Sequence, residues 1–234
     1  MSRRLRDQPC TYCGADPPSE RDHIPPANLF GNPPSNLITV PACSTCNRQA
    51  SQDDEYFRNM LAFREGFDQH PEMQVVLPAA HRSLLRPEAA GMARAFVESA
   101  FAIKPVDSMA DSEGLKLGYK VDLARLDRVV TRVMKGLYFR HLGRRIPSEY
   151  GVRSFCGSGL QHVDSTLGPD LARFVTTLTA GPSTTVGQDV FSYWFHTVPD
   201  EANAAAAFFM FYEREWFLSL VARDGDLETR ESGE

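Results

Sequence analysis

The stretch PACSTCN, Pro41 to Asn47, decides how the first quarter of this chain is read. Cys43 and Cys46 have two residues between them, and Asn47 follows directly. Upstream, Cys10 and Cys13 repeat the spacing, with 29 residues separating the two pairs. A Cys-x-x-Cys turn offers two sulfurs to one ion, and four thiolates complete the tetrahedral shell of a structural zinc. The surrounding segment is rich in proline and thin in apolar side chains, so it needs such a staple. The competing reading is two redox-active or merely buried cysteine pairs. A closed four-thiolate site leaves no open position, so this Zn2+ is expected to be structural and to do no chemistry. Cys156 has no partner in sequence and reads as a small buried hydrophobe.

Between the pairs lies RDHIPP, Arg21 to Pro26, and then Asn36-Leu37-Ile38. Taken singly, Asp22, His23, Asn36 and Asn47 are weak signals. Together with the cysteines, over residues 8–58, they resemble the HNH or ββα-metal nucleases. The likeness is to the zinc-bearing branch, such as phage junction resolvases of the endonuclease VII type. The string RDHIPPANLF, followed by NLITVPACSTCNRQASQDDEYF, is also similar to bacterial HNH proteins of undefined substrate. The rest of the chain resembles no family.

The resemblance implies roles residue by residue. His23 matches the general base that takes a proton from water, a task suited to a neutral imidazole. Asp22 matches the carboxylate that binds a catalytic divalent ion. Asn36 matches the asparagine that ties the loop and orients the histidine backbone. Asn47 matches the last metal ligand, on the helix. An amide carbonyl there is a hard oxygen donor, which favours Mg2+ or Mn2+ over a catalytic zinc. Arg21 and Arg48 flank the motif and are candidates for phosphate contact, against the plainer reading of solvated surface arginines. The implied activity is metal-dependent hydrolysis of phosphodiester bonds in DNA. The alternatives are an HNH ribonuclease and a catalytically silent zinc-stabilised nucleic-acid-binding or interaction module. The site residues read a phosphate and not a base, so they do not separate DNA from RNA.

Working outward, the 234 residues are 42% hydrophobic and 24% charged, with a net charge of −5. That is ordinary for a globular protein of one domain or two small ones. No run approaches the ~20 apolar residues that cross a bilayer. The start, MSRRLRDQPC, lacks an apolar core of signal type, so a cytoplasmic setting is expected and no membrane partner. The expected fold is α+β: an N-terminal ββα-metal zinc module over 1–68, then a mixed helical and antiparallel β region over 69–234. The second region is assigned no definite role; substrate binding or homodimer formation are the candidates.

Within this frame, Asn36 to Pro41 reads as a short strand. SQDD, Ser51 to Asp54, has the form of a helix start, with Phe57, Met60, Leu61 and Phe67 as its apolar stripe. Residues 84–104 read as a helix and 105–121 as loop or short hairpin. Asp122 to Leu142 is the clearest helix, with Asp122 as N-cap and Gly143 beyond its end. Its apolar face is Leu123, Leu126, Val130, Val133 and Leu137. Opposite them stand Arg125, Arg128, Arg132 and Lys135, read either as a track for the phosphate backbone or as a solvated face. Asp189 to Val198 and Ala207 to Ala222 read as strands that pair antiparallel.

Overall fold

The expected strand at Asn36–Pro41 is β2 (Ile38–Ala42), and it pairs antiparallel with β1 (Glu20–Ile24). The computed structural model describes residues 8–16, 20–103, 116–157 and 168–227. Side chains alternate across a strand. Asp22 and Ile24, with Ile38 and Val40 of β2, therefore face inward, while Arg21 and His23 face solvent. The register sets Asp22 against Val40 and His23 against Thr39.

Helix α1 (Ser44–Ala62) follows at once and starts earlier than SQDD suggests. The Cys43 sulfur accepts a bond from the Cys46 N–H at 3.4 Å and caps the helix, so Ser51 to Asp54 lie in its interior. The stripe of Phe57, Met60 and Leu61 is buried, and Phe67 is buried in a separate 3-10 turn beyond the helix. Next come α2 (Pro71–Leu84), for which no sequence signal was read, and α3 (Ala90–Glu98), shorter than the expected 84–104. Pro71 stands in the first turn of α2 and the His70 ring accepts from the Glu72 N–H, a start signal that was overlooked. A pair of short strands, β3 (Phe101–Ile103) and β4 (Lys116–Gly118), form a hairpin whose intervening residues lie outside those described.

Helix α4 (Leu123–Leu142) spans the expected residues, but Leu123, at its first turn, is exposed and does not join the apolar face. Asp122 accepts from the Ala124 and Arg125 N–H groups at 3.1 and 3.2 Å, and Gly143 closes the helix at φ 67°. Then β5 (Tyr150–Cys156), α5 (Gly168–Leu178), β6 (Thr184–Val186), β7 (Phe191–Val198), β8 (Glu201–Phe211), β9 (Glu215–Arg223) and the short α6 (Asp224–Leu227) complete the chain. The five strands form one antiparallel sheet in the order β5-β9-β8-β7-β6. The expected strand 207–222 is two strands joined by a tight turn, with Tyr212 and Glu213 both at positive φ, 51° and 58°. The expected pairing exists between β7 and β8. The architecture is α+β, with six α-helices and antiparallel sheets among the described residues. Among the described residues, no helix is long and apolar enough to cross a membrane.

One apolar core runs across the expected boundary at residue 68. It takes Ile24, Val40, Phe57 and Leu61 from the N-terminal side and Val130, Val133, Leu137, Phe211 and Phe217 from the other. The Phe57 ring meets that of Phe211 edge-on at 5.0 Å, and the Tyr212 hydroxyl donates to the Leu29 carbonyl. A second, small cluster under α5 uses Phe208, Leu218 and Leu178. Cys156 is partly buried against the main core.

Helix α4 comes closest to the hairpin at Gly136, where a Cβ would enter the van der Waals surface of the buried Ile24 side chain. Glycine in a helix interior costs about 1 kcal/mol against alanine, whereas overpacking a close core costs ~1–3 kcal/mol. The contact should therefore outweigh the propensity. Gly136→Val is expected to lower stability in urea unfolding by ~2 kcal/mol or more, and Ile24→Ala in the same chain should return part of the loss. A fully stable Gly136→Val would mean the approach is looser than described.

Candidate metal cluster and site

The two cysteine pairs come together. The four sulfurs of Cys10, Cys13, Cys43 and Cys46 all lie within 4.8 Å of one another, so the cluster could hold a metal ion such as zinc. The Cys13 and Cys43 sulfurs are 3.7 Å apart. A tetrahedral zinc with bonds of about 2.3 Å needs sulfur–sulfur edges of about 3.8 Å, so the geometry fits. The backbone helps: the Thr11 N–H donates to the Pro41 carbonyl at 2.9 Å and ties the first knuckle to β2. Burial would raise the Cys10 thiol, but the Cys13, Cys43 and Tyr12 amides outweigh it and bring it down to about 7. Cys46 is pushed up by burial and by the sulfurs of Cys43 and Cys13.

Two of the predicted motif residues, Asp22 and Asn47, lie beside this cluster: Tyr12 of the first knuckle donates to Asp22, and Asn47 follows Cys46. Asp22 is buried, and its carboxylate is surrounded. It accepts the His23 N–H at 2.9 Å, the Tyr12 hydroxyl, and an ion pair from Arg132 at 2.6 Å. Asn47 sits in the first turn of α1, its N–H bonded to the Cys43 carbonyl at 3.0 Å. Its side-chain nitrogen donates to Glu20 at 2.6 Å, and its carbonyl accepts from the same Arg132 nitrogen at 3.4 Å. Asp22 and Asn47 therefore converge on a guanidinium. The donor chemistry suits a hard divalent ion. The space does not: Arg132 fills the position between the two oxygens.

His23 is exposed on the other face of β1, and no hydrogen bond to its ring is found among the described residues. Asn36 does not reach the histidine. Its amide donates to the Thr185 carbonyl at 3.0 Å and accepts from the Gly187 N–H at 3.5 Å, fastening the hairpin loop to β6. Arg21 is exposed, and Arg48 folds back on the Ser44 carbonyl at 3.2 Å.

The basic stripe of α4 is mostly spoken for. Arg125 and Arg128 both pair with Asp53 of α1, at 2.8 and 2.6 Å, and Arg132 also pairs with Asp54 at 3.4 Å. Burial alone would raise Asp53, but the bonds from Arg128 and Arg125 hold it below the usual carboxylate range. Three of the four basic side chains of the stripe are thus ion-paired, Arg125 and Arg128 to α1 and Arg132 to both α1 and β1. Arg128 remains 57% exposed and Lys135 is half-buried. Both line a cleft of about 310 Å³ between α1 and α4, with Tyr12, Gln49, Asp54 and Arg132.

Sequence reading missed the partners Tyr12, Glu20 and Asp54. Tyr12 lies between the cysteines of the first knuckle, and Asp54 lies inside SQDD, which reads as a helix start. Compared with family models, curated proteins and solved structures, the chain matches none. A four-cysteine cluster occurs in many unrelated zinc modules, so it does not by itself define the HNH class.

Two outcomes follow from this geometry. Cys43→Ser should lower bound metal per chain, measured by atomic absorption, and lower the melting temperature, because metal binding there is folding free energy. Unchanged metal content would remove the cluster's assigned role. The second outcome concerns Asp54, whose carboxyl is raised from 3.8 to about 7, chiefly by burial, with Arg132 opposing and Asp22 and Asp53 adding to it. The folded state then binds the extra proton, so this group's contribution falls as pH rises from about 4 to about 7. Asp54→Asn should stabilise the protein against urea at pH 8 relative to wild type, with the gap closing toward pH 4. Parallel pH profiles for the two proteins would contradict it.

Proposed function

We propose that this protein is a DNA endonuclease of the HNH type. The observation that carries the reading is the convergence of Asp22 and Asn47 on a single cation, one residue from an exposed histidine. The order of knuckle, hairpin and helix around a cysteine cluster supports it further. In this reading the cluster holds zinc and fixes the first turn of α1, and so the position of Asn47. His23 takes the proton from the attacking water; an exposed imidazole is suited to that exchange. Arg21, Arg48 and Lys135 are the basic side chains left to meet a phosphate backbone, since Arg125, Arg128 and Arg132 hold α1 to α4. Asp22 and Asn47 are the oxygen donors for Mg2+ or Mn2+, but no step is assigned to an ion while Arg132 stands between them.

That same guanidinium favours a second reading: a silent zinc-stabilised module that binds nucleic acid or a protein. Incubation with supercoiled plasmid and with RNA, with and without Mg2+, separates the readings, a ribonuclease included. Cleavage of plasmid is expected. His23→Ala should lower that rate by ~10²–10⁴ and leave the melting temperature nearly unchanged, because the residue is exposed. Wild-type turnover in His23→Ala would sink the base assignment, and intact plasmid under all conditions would leave the silent module.

A further inference from the structure

Arg132 is held more closely than a helix-surface arginine should be. Its side chain is 12% exposed, and its guanidinium lies 5.0 Å over the Tyr12 ring. One terminal nitrogen meets Asp22 at 2.6 Å and Asn47 at 3.4 Å, and the other meets Asp54 at 3.4 Å. Burial disfavours its charge, but Asp22, Tyr12 and Asp54 outweigh that, so it stays cationic. Two polar atoms in this arrangement are buried without a partner: the Arg132 Nε and the Asp54 Oδ1. The arrangement is therefore tight but incompletely satisfied, and such groups are costly to leave.

We propose that Arg132 is a built-in cation that competes with a divalent ion for the Asp22–Asn47 oxygen pair. This rests on reading that pair as the donor pair of the nuclease motif. The exclusion follows from distance and charge. Mg2+ sits about 2.0–2.1 Å from an oxygen ligand. A guanidinium nitrogen hydrogen-bonded to that same oxygen leaves no room for such an ion, and the two positive charges repel. The ion enters only as the arginine leaves. The cleft of about 310 Å³ beside it, lined by Gln49, Thr131 and Lys135, gives the side chain somewhere to go. Departure also parts Arg132 from Asp54, so occupancy of the site is coupled to the seating of α4 on α1. The closed form holds no divalent ion and hydrolyses nothing; displacing Arg132 opens it.

Mn2+ is the probe, titrated into the intact protein and followed by loss of the free-ion electron paramagnetic resonance signal. Wild type is expected to bind Mn2+ weakly at this site. Arg132→Gln should bind at least ten times more tightly, and Asn47→Ala in that background should abolish the gain. Arg132→Gln leaves Asp22 and Asp54 facing each other, so Arg132→Gln with Asp54→Asn carries the same test with one buried charge fewer. Arg132→Lys, which keeps the charge but not the two-pronged reach, should fall between. Equal Mn2+ affinity in wild type and in whichever Arg132 variant folds would overturn the proposal. Plasmid cleavage is scored on the same samples. A gain in Mn2+ affinity with no cleavage by any variant keeps the competing cation and rejects the nuclease reading. Cleavage by wild type with no change in affinity does the reverse.

Discussion

A buried guanidinium has to be surrounded by acceptors, and the N-terminal half of this fold is arranged around one. Arg132 reaches Tyr12 from the first knuckle, Asp22 from β1, and Asn47 and Asp54 from two turns of α1. Removing Asp22, the closest acidic partner at 2.6 Å, takes away most of the compensation of this buried charge and costs about 3–5 kcal/mol. An exposed pair such as Arg173 with Asp170, 79% and 75% exposed, contributes ~1 kcal/mol or less. The difference decides which ion pairs matter here. Apolar packing of Val130, Val133 and Leu137 brings α4 against the core but tolerates sliding. The planar fork of Arg132 and the double grip on Asp53 set the register between the helices.

The hairpin turns the same constraint into a chemical asymmetry. Neighbouring residues on a strand point to opposite faces, so a buried Asp22 obliges His23 to be exposed. A register slip of one residue would bury the imidazole and expose the acid. Three devices prevent it: Ile24 against Gly136, the knuckle's bond from Thr11 to Pro41, and Asn36 fastened to β6. Asn36 thus acts at longer range than its motif position suggests, holding the loop between the strands to the large sheet.

What the sequence revealed was local. The cysteine spacing, the short strand that became β2, and the caps of α4 are each written within a few residues, and each was legible. The start of α1 was misplaced because Cys43 caps it with sulfur, while Ser51 offers a better-known signal further on. The turn between β8 and β9 was missed because Tyr212 and Glu213 adopt positive φ with no glycine or asparagine to announce it. Tyr212 is buried there and bonded to Leu29, so tertiary packing compensates for the strained backbone. The role of Arg132 was invisible for the same reason. Its periodicity was plain, but its partner Asn47 lies 85 positions away, and only the fold brings the two together.

This accounts for an asparagine directly after the last cysteine. Glu20 can only accept, so the Asn47 nitrogen must face it; the carbonyl oxygen then faces Arg132, which can only donate. An aspartate at 47 would bring a carboxylate against Glu20 and add negative charge to a pocket that already holds Asp22 and Asp54 for one guanidinium. A neutral aliphatic residue would leave both Glu20 and Arg132 short of a partner. The amide alone meets an anion on one side and a cation on the other without changing the local charge. The first turn of α1 is the one place where it can do this, because the cysteine cluster and the Cys43 cap fix that turn against the hairpin.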